Sequence, residues 1–156
     1  LQTCYELALQ LDATVAQARE ALAKAQEAVT AAKSPFTPRV DLEKALTNEE
    51  KAKIQLEQAQ QSLYFRIRSD FYSLQDQAHS LEMAKRSIEL ERKALQAEES
   101  KYAAGVISNA EIVAKQENLA KLEQDYTTSL LQYSLARVKL LQAIGKHEES
   151  GEHDAQ

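Results

Sequence analysis

Tryptophan is absent from this 156-residue chain, which holds one cysteine, one methionine, two prolines and three glycines. A lone thiol, Cys4, excludes an internal disulfide and leaves the redox compartment open, so it reads as a filler of the core. So few breakers exclude a fold of many short strands and turns and point to long helices. No apolar run approaches the roughly 20 residues of a spanning helix, and the sequence opens inside a helical pattern rather than on a basic, apolar segment, which leaves a removed signal peptide open. Nor is there a basic patch for nucleic acid: of a net charge of -5, four negative charges (Glu148, Glu149, Glu152, Asp154) fall in the last ten residues, and the body is nearly neutral.

What the sequence does have is a seven-residue apolar step, repeated in two ladders. One ascends through Ile67, Leu74, Leu81, Ile88, Leu95 and Tyr102. The other returns through Ile112, Leu119, Tyr126, Tyr133 and Leu140. Pairing Tyr102 with Ile112, Leu95 with Leu119, Ile88 with Tyr126, Leu81 with Tyr133 and Leu74 with Leu140 gives one constant register, that of an antiparallel coiled-coil hairpin. A strict heptad keeps the seam on one side of a slightly underwound helix, so two such helices bury each other along their length.

The boundaries follow from local chemistry. Leu11, Val15, Ala18, Leu22, Ala25, Val29 and Ala32 form one stripe, which predicts a first helix over 1–33. Pro35 and Pro38 end it, leaving a linker at 34–46. Thr47 and Glu50 match a capping box that would open a second helix over 48–104. Gly105 suits the left-handed position past that helix, and Ser108 with Glu111 is a second capping box, opening a third helix over 109–144. Gly145 closes it, and 147–156 reads as an acidic flexible tail after a single helical unit at 1–146. The second helix is thus a spine, with the first and third packed end to end along it near residues 68–80. Residues 130–144 are apolar on more than one face (Leu130, Leu131, Tyr133, Leu135, Ala136, Val138, Leu140, Leu141, Ala143, Ile144), which predicts association beyond the monomer.

Chemistry-bearing groups are sparse. His79 stands alone in mid-helix, and His147 and His153 lie among acids in the tail; no nucleophile pairing, phosphate loop, metal-ligand spacing or cofactor motif is present. The chain reads as a non-enzyme. Glu82 with Arg86 and Glu89 with Lys93 have the favourable i,i+4 order of a solvated helix face.

The segment Lys101-Tyr102-Ala103-Ala104-Gly105-Val106-Ile107, with Gln116, Leu119, Tyr126, Tyr133, Leu140 and Ala143-Ile144-Gly145 after it, resembles one repeat of the TolC-type outer-membrane efflux proteins. The opening Tyr5-Glu6-Leu7-Ala8-Leu9 is similar to the start of that repeat. The resemblance implies an element of an α-helical barrel that forms a conduit across the periplasm, associated with the outer membrane in the parent protein and built by homo-oligomerisation. It also implies that the tip Ala104, Gly105, Val106, Ile107 and Ser108 docks the hairpin of a periplasmic adaptor (membrane-fusion) protein. Gly105 would be needed at a helix end whatever the function, whereas Val106 and Ile107 at an exposed tip ask for a partner or must fold back on Tyr102 and Ile112. The family often has a carboxylate at the position of Glu111, near the channel entrance, and a second three residues on, where this chain has Ala114; capping is the favoured role for Glu111. A linker of 13 residues cannot hold two membrane-crossing strands of about 9 to 11 residues each, so membrane contact through a barrel would need parts absent from this chain. The rival reading is a stand-alone coiled-coil interaction or spacer module without a channel, which the heptads allow equally but which needs no Tyr-x-x-Gly turn. An amphipathic membrane-surface helix fits less well, because the stripes are narrow and face partner helices.

Overall fold

The computed structural model describes residues 1–145, and these form four helices: α1 (Gln2–Leu11), α2 (Ala13–Ala32), α3 (Arg39–Ala103) and α4 (Asn109–Ala143). No strand occurs among the described residues. The fold is all-α and built on a long helical hairpin. The expected acidic tail at 147–156, with His147 and His153, lies outside the described residues.

Two boundaries differ from those the sequence predicts. The first helix is broken at Asp12, whose extended backbone (φ -71°, ψ 119°) makes it both the last cap of α1 and the first of α2. Its carboxylate accepts from the N–H groups of Thr14 (2.9 Å) and Val15 (3.0 Å), which satisfies two donors that a helix start leaves free. The second helix starts at Arg39 rather than 48. Pro38 accepts the first helical bonds from Asp41 and Leu42, and Asp41 sits in the first turn, where a negative charge favours the helix dipole. Thr47 is therefore interior, its hydroxyl donating to the Glu43 carbonyl at 2.9 Å, and the linker shrinks to 33–38.

Where the sequence suggests one unit over 1–146, the chain divides into two compact units, Tyr72–Lys139 and the pairing of Leu1–Phe71 with the chain from Leu140 onward. Within Tyr72–Lys139, Ile88 and Ile112 of the two ladders are buried, and Leu74, Leu81, Leu95, Leu119, Tyr126 and Tyr133 are half-buried. Tyr102 is the exception, 46% exposed where the helix gives way to the turn. Polar pairs join the two helices: Arg92 Nη2 lies 2.7 Å from Glu123 Oε1 and Lys115 Nζ lies 3.3 Å from Glu91 Oε1, so α3 and α4 run side by side here. Glu82 pairs with Arg86 as expected, whereas no Glu89–Lys93 ion pair forms among the described residues.

In the other unit Ala8, Val15 and Val29 are buried, as are Ala45, Ala52, Leu63 and Ile67 of α3 and Leu140 and Ile144 at the end of the chain's last helix. The α3 rungs Ala45, Ala52 and Ala59 are followed by Arg66 at the next heptad place, and burial passes instead to Ile67. Arg66 is bonded to Asp12 at 2.6 Å, beside the break between α1 and α2. Tyr5 meets Tyr64 edge to face, with ring centres 5.3 Å apart, and its hydroxyl donates to the Gln60 carbonyl at 3.4 Å. Leu11 packs on Gly145 so tightly that a β-carbon there would lie 2.8 Å from Leu11 Cβ. The end of α1 and the residues just past α4 therefore meet. Cys4 is half-buried.

Candidate docking tip of the hairpin

The α3–α4 turn is built by a Schellman closure. Gly105 has φ +72°, its N–H donates to the Tyr102 carbonyl at 2.8 Å, and the Val106 N–H donates to the Lys101 carbonyl at 3.0 Å. These bonds satisfy carbonyls that the end of α3 would otherwise leave free. The closure turns the chain sharply and sets Ala104, Gly105, Val106 and Ser108 in solvent, with Ile107 half-buried. Val106 is 70% exposed, so of the two apolar tip residues only Ile107 folds back.

Glu111 is engaged as a cap. Its Oε2 accepts from the Ser108 N–H at 2.7 Å and from the Ser108 hydroxyl at 2.9 Å. Those two bonds hold its carboxyl below the usual glutamate range, the backbone donor contributing most. The capping box is half complete, because the serine hydroxyl donates to Glu111 and the Glu111 N–H instead meets the Ser108 carbonyl at 3.2 Å. An open groove of about 440 Å³ beside the tip is lined by Glu98, Glu111, Ala114, Lys115 and Asn118. Its charges are matched: Glu98 bonds Lys101 at 2.9 Å, and Lys115 bonds Glu91. Glu91 is held below its ordinary range first by the Asn118 side chain and then by Lys115. The groove is thus no concentrated acidic ring within one chain.

Among the described residues no three His, Cys, Asp or Glu side chains gather in a way that would hold a metal, and no helix is long and apolar enough to cross a membrane. Further exposed apolar side chains lie on α4, where Leu131 is 60% and Leu135 59% exposed and Leu130 is also in solvent. The sequence's apolar excess at 130–144 thus separates into a buried side (Ala136, Leu140, Ile144) and a wet one. The sequence reading missed a second exposed point, Phe36 in the α2–α3 turn; its signal was an aromatic between two prolines.

A long all-α hairpin closed by a glycine at an apolar tip defines a helical-hairpin protein. The model of the family described as outer membrane efflux protein matches residues 41–146, more than half of the chain, and the chain belongs to that family. The match takes in the whole of α4 and all but the first two residues of α3; α1 and α2 lie outside it. A comparison with curated proteins gives no match.

Proposed function

We propose that this chain is a helical tunnel segment of an efflux conduit in the cell envelope, on the periplasmic side of the outer membrane. It acts by assembling with further copies and by offering its α3–α4 tip to the hairpin of a periplasmic adaptor protein. In this role it binds and encloses and catalyses nothing, so it requires no catalytic residue and no cofactor. The observation that carries the reading is the family match over the same residues that form the seam and the exposed tip. The wet Leu131 and Leu135 support assembly, since apolar side chains grouped on one helix face favour a covering partner.

The test is capture of the chain by an immobilised adaptor hairpin. Gly105→Pro removes the N–H that bonds Tyr102 and forces φ away from +72°, so it should abolish capture while circular dichroism still reports the helices. Equal capture of the parent and Gly105→Pro chains would remove the tip from the mechanism. The short α2–α3 connection bears on the conduit too: residues 33–38 cannot supply membrane-crossing strands, so any outer-membrane barrel in the assembly comes from elsewhere.

A further inference from the structure

The turn between α2 and α3 is uncharged from Ser34 to Pro38, and at its centre the Phe36 ring is 94% exposed. A solitary exposed apolar residue is ordinary. Here, however, Pro35 and Pro38 restrict the backbone around the ring, and Val40 in the first turn of α3 is exposed as well. The nearest charges on either side are both cationic, Lys33 and Arg39; acids begin only at Glu27 on one arm and Asp41 on the other. Arg39 meets Glu43 at 3.5 Å with both side chains mostly in water, which makes a loose pair, and Lys33 has no ion pair among the described residues.

We infer that this turn is a lipid-surface contact: Phe36 enters the boundary between headgroups and acyl chains of an anionic bilayer, Val40 follows it, and Lys33 and Arg39 meet headgroup phosphates. The order of chemistries along the turn, an apolar point with cations behind it, matches the order met on entering such a bilayer from the opposite side. A protein partner would instead favour a broader apolar surface than one ring on a narrow turn. A bilayer is also at hand for a member of an outer membrane family. The inference requires neither the conduit nor the adaptor. One aromatic ring and two cations give weak, reversible binding, well below that of a single acyl chain.

Because the chain has no tryptophan, Phe36→Trp supplies a single reporter at the turn. With vesicles of phosphatidylcholine and phosphatidylglycerol at on the order of tens of millimolar lipid, its fluorescence should shift to the blue. Adding Lys33→Gln and Arg39→Gln, or using vesicles of phosphatidylcholine alone, should weaken the response by at least about tenfold. Phe65→Trp, at an exposed aromatic within α3, should stay unshifted. No shift of the Phe36→Trp reporter, equal shifts at both positions, or an undiminished response after the cations are removed would overturn the inference. A shift that follows protein concentration without lipid would overturn it in favour of a second copy as the occupant.

Discussion

Gly105 and Gly145 both take positive φ, +72° and +75°, yet they stand in different surroundings. A β-carbon at Gly105 meets open space, while one at Gly145 runs into Leu11. Gly105→Ala should therefore cost only the conformational penalty, about 1 kcal/mol, and Gly145→Ala about 2 to 4 kcal/mol because it also overpacks the junction. Thermal melts followed by circular dichroism would rank the two, and equal losses would contradict the Leu11 contact. Both glycines were legible as helix stops; the load on Gly145 was not, because it comes from a residue more than a hundred positions away. Asp12 gives a pH prediction. Partial burial raises its pKa, but hydrogen bonds from Val15, Arg66 and Thr14 and the Arg66 charge outweigh it, leaving the carboxyl below the ordinary aspartate range. A depressed folded pKa means that the contribution is present above the ordinary aspartate range and is lost as pH falls through the folded value. Urea midpoints measured between pH 7 and pH 2 should fall on the acid side, and by less in Asp12→Asn than in the parent.

Among the helices, the heptad seam was the most legible feature, since a seven-residue step repeated over two ladders leaves little freedom in which faces meet. Tyr102, the last rung of its ladder, is exposed because the chain is already leaving α3 for the turn. The start of α3 was misread because Thr47 and Glu50 satisfy a local pattern that is equally compatible with a helix interior. Burial decided the matter: Leu42 and Ala45 extend the apolar face of α3 back past Thr47 to the turn. Thr47→Ala should then stabilise the chain by roughly half a kcal/mol, since it removes an interior threonine that back-bonds to Glu43. If Thr47 opened the helix, the same change would cost about 1 kcal/mol. Chemical denaturation distinguishes the two by sign. The break at Asp12 was hidden by its place between two stripe residues, Leu11 and Val15, with neither glycine nor proline beside it.

Association is the property that no single chain can satisfy. Leu131 and Leu135 sit one helical turn apart on α4 and are both mostly in water. The double variant Leu131→Lys, Leu135→Lys should remain folded and scatter light as a monomer at concentrations where the parent assembles. A parent that stays monomeric at high concentration would count against the conduit. The tip residues were legible through their likeness to a known repeat, whereas Phe36 drew no notice because nothing in a heptad pattern describes a turn.

Arg66 gives the heptads an address. Ladders of alanine and leucine repeat closely enough that a helix displaced by seven residues would still find apolar rungs, and such a shift would be inexpensive. Arg66 stands at the heptad place after Ala59 but in solvent beside the buried Ile67, and its guanidinium is matched by Asp12. Sliding α2 by one repeat would part the two charges, so this half-exposed pair favours the observed alignment over its neighbour by up to about 1 kcal/mol.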